Sequence, residues 1–236
     1  MKNHETRLER CETIAEGTMA FHFAKPPGFT FKPGQAIELI LPELPENAGH
    51  AFSLVNAPFD DQLVIATRLR DSAYKRALRS LQPGSPVRVE GAFGSLTLHK
   101  DTARPAVFIV GGIGITPCIS ILRQATHDRL PQDLVLVYSN RRPEDAAFLD
   151  QLQQLAAQNS RFRLLATMTK MEASTRPWTG ETGPVNESLL GKAAGQLVAP
   201  IYYLVGPPAM VESMRELLNR MGVDDDAIRS EEFFGY

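Results

Sequence analysis

A cluster of glycines between an apolar run and a helical pattern is the first candidate for chemistry in this sequence. Residues 106–110 are apolar and rich in β-branched side chains, which is typical of a buried parallel strand. Thr116 can cap the helix that follows, and Pro117 fits its first position. A helix start presents N–H groups and a positive dipole end, and glycines let a phosphate approach the backbone. The pattern predicts a phosphate or pyrophosphate site, with a plain structural turn as the alternative, over Gly111, Gly112, Ile113, Gly114, Ile115, Thr116 and Pro117.

The composition argues against several other classes of protein. The 236 residues are 43% hydrophobic and 22% charged, as in globular proteins with a full core, and the formal net charge of −2 argues against general nucleic-acid binding. No apolar run approaches a membrane span, and the polar N-terminus does not resemble a secretory signal. With only Cys11 and Cys118, the chain cannot by itself hold a four-cysteine iron–sulfur cluster, and a disulfide framework is not expected. We therefore expect a cytoplasmic protein without a metal site.

Two different patterns of elements divide the chain. Up to about residue 100, short apolar stretches alternate with turn signals, which predicts an antiparallel barrel with one short helix at 74–81. Alternating polar and apolar residues predict strands at 87–90 and 95–98. After 101–105, apolar runs alternate with helical patterns, which predicts a parallel sheet with right-handed crossovers. The predicted strands are 106–110, 134–138, 162–167 and 201–205, and the predicted helices are 117–125, 144–157 and 208–221.

Five short motifs resemble, in their order and spacing, those of the ferredoxin–NADP reductase superfamily. They are residues 29–35 (FTFKPGQ), 50–54 (HAFSL), 111–117 (GGIGITP), 205–210 (VGPPAM) and 231–236 (EEFFGY). The resemblance covers nearly the whole chain. It implies an FAD-binding β-barrel domain at 1–102 and an NAD(P)-binding, Rossmann-like α/β domain with a five-stranded parallel sheet at 103–236. The implied cofactors are FAD and either NADPH or NADH.

The resemblance assigns the flavin to the first domain. In the family motif Arg-x-Tyr/Phe-Ser/Thr, Phe52 would lie against the isoalloxazine ring and Ser53 would hydrogen-bond its N5 edge. Taken alone, the same residues would be read as a core phenylalanine and a turn serine. The chain departs from the family at His50, because the usual arginine pairs with the flavin phosphate and imidazole cannot form a bidentate fork. This departure leaves the choice between FAD and FMN open.

Basic residues between 61 and 90 offer compensation for the missing arginine, although a solvated basic face is the alternative. The helix that starts near Ser72 would also present its N-terminus to a phosphate. The basic residues considered are Arg68, Arg70, Lys75 and Arg76, and the predicted flavin-binding set is His50, Ala51, Phe52, Ser53, Thr67, Arg68, Ser72, Tyr74 and Lys75.

The resemblance assigns the nicotinamide nucleotide to the second domain. The glycine loop would hold the pyrophosphate, with Thr116 near the nicotinamide, and a second wall would follow the fourth strand at the switch point of the sheet. That wall comprises Gly206, Pro207, Pro208 and Met210, although methionines at helical spacing are typical of core packing. The family often has cysteine where this chain has Val205.

Residues after the second strand of that domain would read the adenosine ribose. Arginine and hydroxyl groups suit a 2′-phosphate, and no acid precedes Glu144, so the sequence favours NADPH over NADH. The alternative is that Arg142 faces water or the adenine. The residues concerned are Ser139, Arg141 and Arg142.

By the same resemblance, Tyr236 would stack on or close over the flavin, and Glu231 would relay a proton or supply charge. A frayed acidic tail is the alternative. The candidate catalytic residues are therefore Ser53, Thr116, Glu231 and Tyr236.

The expected function is that of a flavin-dependent NAD(P)H oxidoreductase, without an iron–sulfur domain. A hydride would pass from nicotinamide to flavin N5, and electrons would then pass to ferredoxin, flavodoxin, an oxygenase component or a small molecule. The alternative is a flavin-free regulatory or binding module that keeps the reductase fold, which His50 and Val205 favour. Family members that serve a dihydroorotate dehydrogenase carry a C-terminal cysteine cluster, which this sequence lacks.

Overall fold

The computed structural model describes residues 3–42, 44–45 and 48–233. The chain divides into two compact units, one of residues 1–97 with 116–124 and the other of residues 98–115 with 125–236. A domain boundary after residue 102 stays a prediction.

The first unit is built on one six-stranded antiparallel sheet with a short helix. Its strands are β1 (Asn3–Ala15), β2 (Thr18–Ala24), β3 (Ala36–Ile40), β4 (His50–Ser53), β5 (Gln62–Arg68) and β6 (Pro86–Phe93), in the order β4-β3-β6-β1-β2-β5, and its helix is α1 (Ala73–Ser80). The edge strands β4 and β5 approach each other through the isolated bridge between Leu54 and Ile65. The predicted antiparallel barrel is thus confirmed as a barrel-like sheet, which no continuous ladder closes.

The core of this unit lies on the inner face of the sheet. Its largest buried side chains come from strands with alternating pattern, among them Leu8, Phe21, Phe23, Ile37 and Leu63. The predicted strand at 95–98 is wrong, because the backbone there turns locally, with Thr97 N donating to Ser95 O. An alternating pattern forms a strand only where a neighbouring strand accepts its hydrogen bonds.

The second unit is built on a six-stranded parallel sheet. Its strands are β7 (Ala106–Gly111), β8 (Leu134–Asn140), β9 (Phe162–Met168), β10 (Glu181–Thr182), β11 (Ile201–Gly206) and β12 (Ile228–Glu232), in the order β10-β9-β8-β7-β11-β12. Its helices are α3 (Leu149–Gln158), α4 (Glu187–Ala194) and α5 (Pro208–Arg220); α2 (Ile115–His127) follows β7, and its residues 116–124 group with the first unit. The four predicted strands are confirmed.

The expected count of five parallel strands is wrong, because the sheet has six. The sequences of the two edge strands contain few of the hydrophobic residues by which strands are predicted. β10 has two residues, and β12 exposes polar side chains, as an edge strand with one solvated side can.

Two helix predictions change in the structure, and one further helix was not predicted. A single 3-10 turn (Gly112–Gly114) precedes α2, which begins at Ile115, so Thr116 lies inside the first turn and does not cap it. α3 begins at Leu149 instead of residue 144, because Phe148 takes a left-handed conformation with φ 60°. α4 escaped prediction, although Asn186 caps it by accepting a hydrogen bond from Leu189 N at 2.9 Å. Across the described parts of the chain, none of the helices has the length and apolar character needed to span a membrane.

Candidate functional site

The carboxyl ends of four parallel strands meet at one edge of the second unit's sheet. Gly111 is paired with Ser139 on one side, and Val110 is paired with Val205 on the other. Strands β8 and β9 continue the sheet on one side of β7, and β11 and β12 continue it on the other. Strand order therefore reverses at β7, which is the position where open α/β sheets bind ligands.

The glycines of the loop after β7 serve two different purposes. A Cβ on Gly114 would lie 2.7 Å from Val205 O, and a Cβ on Gly111 would collide with the Met210 sulfur. Gly114 is therefore required by the backbone packed against it, whereas a side chain at Gly111 would require the Met210 side chain to move. Gly112 differs, because it has φ +54°, is half-buried, and would have nothing within 4 Å of an added Cβ. The open space for a phosphate thus lies at Gly112, not along the whole glycine cluster.

The rest of the predicted nucleotide loop is buried. Ile113, Ile115 and Thr116 have little exposed surface, and Pro117 is buried as well. The N–H of Ile115 is used within the turn, since it donates to the carbonyls of Gly112 and Ile113. A phosphate therefore fits beside Gly112, where a side chain would otherwise project.

The opposite wall of this edge begins where β11 ends. Pro207 precedes α5 and Pro208 opens it, both half-buried, while Met210 packs against Gly111 and Gly206. The predicted contact of Met210 with a cofactor stays a prediction, and its packing role is the one the geometry favours.

The segment from β12 onward follows the same edge. Glu231 pairs with Val205, and Phe233 N donates to Gly206 O at 3.0 Å. The chain therefore passes alongside the second wall before its last residues. Tyr236 lies outside the described residues, so its predicted place over the flavin stays a prediction.

The residues predicted to contact the adenosine ribose differ in whether their side chains are already hydrogen-bonded or are exposed. The Arg142 guanidinium forms a bidentate pair with Asp145, with both N–O distances 3.0 Å, and Ser139 is half-buried. Arg141 is exposed, and its carbonyl accepts a hydrogen bond from Lys170 N. Arg141 is therefore better placed than Arg142 to meet a 2′-phosphate.

A second loop, which the sequence did not indicate, is tied to these residues through Glu144. Its carboxylate accepts hydrogen bonds from Ser174 Oγ, from Thr175 N and Oγ1, and from Arg176 N. Desolvation opposes the charge, but these hydrogen bonds and one from the residue's own backbone outweigh it and hold the pKa of Glu144 at about 2. Glu144 is about thirty residues away in sequence from the loop that it anchors.

The predicted flavin residues of the first unit gather around an aromatic group. The ring centroid of Tyr74 lies 4.0 Å from that of the exposed His50 and 6.0 Å from that of Phe52. The Tyr74 hydroxyl donates to Leu39 O at 2.7 Å. Phe52 is 9% exposed and belongs to the core of this unit. His50 is therefore the aromatic ring that this group presents to solvent.

Lys75 is a partly buried cation in the same group. Its Nζ lies 4.5 Å from the Phe52 ring centroid and donates to Thr67 Oγ1. Burial lowers the pKa of Lys75 to about 8. Among the described residues, its ammonium has no carboxylate within ion-pair distance. A phosphate would supply the missing negative charge, so the group fits a flavin nucleotide.

His50 does not replace the family arginine in this setting. Burial, followed by the nearby Lys75 ammonium, lowers the pKa of His50, while the Glu38 carboxylate acts in the opposite direction. The lowered pKa disfavours the charged imidazolium, so His50 is a weaker partner for a phosphate than an arginine.

The other predicted flavin residues lie at the start of α1 and in β4 and β5. Ser72 caps this helix by accepting from Lys75 N at 3.2 Å, and Ser53 is 5% exposed at the end of β4, two residues after the exposed Ala51. Arg76 is paired with Asp71. The half-buried Arg68 lies at the end of β5. Across the described ranges, no group of three His, Cys, Asp or Glu side chains is placed to bind a metal.

Known proteins share both sequence and fold with this chain. Residues 108–216 match the oxidoreductase NAD-binding domain family. The chain is 29% identical over 227 residues to ferredoxin–NADP reductase B of Sorangium cellulosum, covering 91% of this chain and 90% of that protein. It is 26% identical over 235 residues to the propane 2-monooxygenase reductase component of Rhodococcus jostii, covering 97% of this chain but only 63% of the relative. The chain thus spans less than two thirds of that relative's length.

A solved structure extends the likeness to the whole fold. The ferredoxin–NADP+ reductase of Neisseria gonorrhoeae, solved with bound FAD and NADP, superimposes with a TM-score of 0.83 at 24% identity, covering 99% of this chain and 100% of that one. The barrel-like sheet, the parallel sheet with its glycine loop, and these sequence matches confirm the resemblance read from the five motifs. The NAD-binding domain match, the reductase relatives and the shared fold make this chain similar to the ferredoxin–NADP reductase superfamily.

Proposed function

We propose that this protein is a flavin-dependent NAD(P)H oxidoreductase that passes electrons to a separate acceptor. The observation that carries the proposal is the open backbone cradle at Gly112, which lies at the reversal point of a parallel sheet in a chain with the NAD-binding family match. We assign residues 1–102 to flavin binding and residues 103–236 to nicotinamide nucleotide binding.

The nucleotide is held mainly by backbone and by the end of β8. In this proposal, Gly112 and the first turn of α2 meet the pyrophosphate, since backbone N–H groups and the helix dipole favour an anion there. The exposed Arg141 meets the 2′-phosphate of NADPH. Arg142 keeps its bidentate pair with Asp145 and orients the segment that carries Arg141.

The flavin is held by side chains of the first unit. Lys75, Arg68 and the Ser72 end of α1 take its phosphates, with Lys75 contributing the partly buried charge that His50 does not. Ser53 serves the N5 edge, because a hydroxyl can donate or accept as the redox state requires. Phe52 supports this group from the core side.

When bound, the two cofactors supply the redox chemistry: a hydride donor in the nicotinamide and a flavin that accepts the hydride and releases electrons. The contribution of the protein is placement, which lowers the entropic part of the barrier. We therefore expect no protein side chain to act as a nucleophile.

The acceptor in this proposal is a ferredoxin or an oxygenase component. The relative from Rhodococcus jostii is named as the reductase component of a monooxygenase, and the one from Sorangium cellulosum as a ferredoxin–NADP reductase. Both names describe reductases that work with a separate electron acceptor. A cytoplasmic location is part of the same proposal.

The test is reduction of the flavin under anaerobic conditions. The purified protein is loaded with FAD, titrated separately with NADPH and NADH, and followed by loss of the visible flavin absorbance; the reduced protein is then offered ferredoxin, flavodoxin and small acceptors. We expect FAD to be retained and NADPH to reduce it at lower concentration than NADH. A protein that takes up no FAD would contradict the proposal and favour the flavin-free binding module.

A further inference from the structure

The hydroxyl of Tyr138 joins two segments at the nucleotide edge of the parallel sheet. Tyr138 lies in β8, and its side chain is among the largest fully buried ones in the protein. Its hydroxyl is 3.1 Å from Gly112 O and 3.1 Å from Ala147 O. Because a hydroxyl has a single proton, it donates to one of these carbonyls at a time. Tyr138 therefore links the glycine loop to the segment that precedes α3.

The contact of the Tyr138 hydroxyl involves Gly112, the residue of the glycine loop that lies beside open space. Gly112 has φ +54°, which glycine adopts without strain, and no atom lies within 4 Å of an added Cβ. The local backbone conformation of Gly112 is therefore not fixed by a side chain of its own. Its carbonyl accepts from Ile115 N within the turn and lies within hydrogen-bond distance of the Tyr138 hydroxyl. Since the peptide group is planar, holding this carbonyl fixes the orientation of the whole Gly112–Ile113 peptide.

The second contact of the same hydroxyl leads toward the adenosine end of the site. Ala147 follows Asp145 by two residues, and Asp145 holds the Arg142 guanidinium. The Tyr138 hydroxyl thus contacts the loop assigned to the pyrophosphate and, at Ala147, the segment before α3, whereas Arg142 is held separately by Asp145. A phenylalanine would fill the same space but would leave both carbonyls without this donor.

We infer that Tyr138 is a positioning residue, which holds the Gly112 peptide in the orientation that receives the pyrophosphate of the nicotinamide nucleotide. This inference rests on the proposed function. It concerns the buried hydroxyl alone, since the ring of Tyr138 makes no contact with the ligand in this assignment.

The same sheet provides a matched control in Tyr203. This tyrosine lies in β11 and is also 0% exposed, and its hydroxyl accepts from His99 N at 2.9 Å and lies 2.9 Å from His99 Nδ1. Tyr203→Phe therefore removes a buried and hydrogen-bonded hydroxyl from the same sheet. This hydroxyl contacts His99 and Arg229, which both lie outside the glycine loop.

The experiment compares wild type, Tyr138→Phe and Tyr203→Phe by calorimetric titration with NADP+, NAD+ and adenosine 2′-monophosphate, alongside thermal unfolding. A net hydrogen bond of about 0.5–1.5 kcal/mol predicts that Tyr138→Phe weakens both dinucleotides by the same factor, roughly 3- to 10-fold. Adenosine 2′-monophosphate, which has no pyrophosphate, should bind Tyr138→Phe as it binds wild type. Tyr203→Phe should lower the unfolding temperature comparably and leave all three affinities unchanged.

Three outcomes would overturn the inference. These are unchanged dinucleotide affinity in Tyr138→Phe, an equal loss for adenosine 2′-monophosphate, or an equal loss in Tyr203→Phe. Failure of wild type to bind either dinucleotide would instead contradict the proposed function, so the two failures are distinguishable.

Discussion

The two candidate cofactor regions are built from different parts of the polypeptide. In the second unit, strand ends and the Gly112 turn form the nucleotide region from backbone, with Met210 and Val205 packed closely behind the neighbouring glycines. In the first unit, the flavin region consists of side chains, with the His50 ring tilted against Tyr74 and Lys75 over Phe52.

This difference determines how each region responds to its surroundings. A backbone N–H or a helix end keeps its partial charge at any ordinary pH, so the nucleotide region depends on chain geometry. The charge of Lys75 depends on burial, which lowers its pKa to about 8. The flavin region therefore depends on electrostatics, and the following predictions separate the two cases.

The largest expected effect is on the stability of the first unit. Phe52→Ala should lower the free energy of unfolding by about 3–5 kcal/mol, because it removes a large side chain from a packed core. Urea unfolding checks this result, and flavin retention should fall with it. Phe59→Ala is the control, since Phe59 is 43% exposed and its loss should change stability by less than about 0.5 kcal/mol. Equal, small losses in both variants would show that Phe52 does not support the region.

The next effect concerns the charge that holds the flavin. Lys75→Met should weaken FAD binding by roughly 10- to 100-fold, because a hydrogen bond to a charged group contributes about 1.5–3 kcal/mol. Fluorescence titration of the apoprotein measures it. Arg76→Met is the matched control on the next residue, since the exposed Arg76 is paired with Asp71 and should bind FAD as wild type does. Equal affinity in Lys75→Met and wild type would remove Lys75 from the flavin region.

The backbone region should respond to glycine substitutions in two different ways. Gly114→Ala should cost stability, about 1–3 kcal/mol, because its Cβ would lie 2.7 Å from Val205 O and the backbone must shift. Gly112→Ala should cost about 1–2 kcal/mol from its left-handed conformation, and its Cβ would also enter the space assigned to the pyrophosphate. We therefore expect Gly112→Ala to have the larger loss of NADP+ affinity and Gly114→Ala the larger loss of stability, measured by calorimetry and urea unfolding. The reverse order would place the open cradle elsewhere in the loop.

The two regions should also differ in their pH dependence. Lys75 is charged below its pKa of about 8 and neutral above it, and only the charged form attracts a phosphate. FAD affinity should therefore decrease as the pH rises from 7 to 9. Binding of NADP+ should change less over this range. Lys75→Met should show a flat FAD profile, and a profile as steep as that of wild type would assign the titration to another group.

The smallest effect concerns the choice between the two nicotinamide nucleotides. Arg141→Ala should raise the KM for NADPH by about 5-fold and leave the KM for NADH unchanged, since an exposed charge pair contributes up to about 1 kcal/mol. Arg142→Ala should affect both nucleotides alike, because Arg142 acts by holding Asp145. Steady-state kinetics with both substrates measures this difference. A selective NADPH effect in Arg142→Ala alone would exchange the roles of the two arginines.

The sequence by itself determined the class of fold and predicted the edge of the sheet at which a nucleotide would bind. Strands β7, β8, β9 and β11 in the middle of a covered sheet must be nearly continuous apolar runs, so the pattern of residues 106–110 and its counterparts identified them. The order of the five motifs was enough to indicate the resemblance to the superfamily. The edge strands β10 and β12 were not accessible in this way, because such strands need little apolar surface.

Only the tertiary structure decided which residues of each motif are accessible to a ligand. Spacing cannot distinguish Gly112 from Gly111 and Gly114, since the difference lies in what Val205 and Met210 place against them. The burial of Lys75 depends on the elements packed around it. Glu144 anchors residues 174–176, and Tyr138 contacts Gly112; both contacts join positions that are well separated in the sequence. Motif spacing records the local chain path, whereas charge state and access depend on atoms that the fold brings from elsewhere.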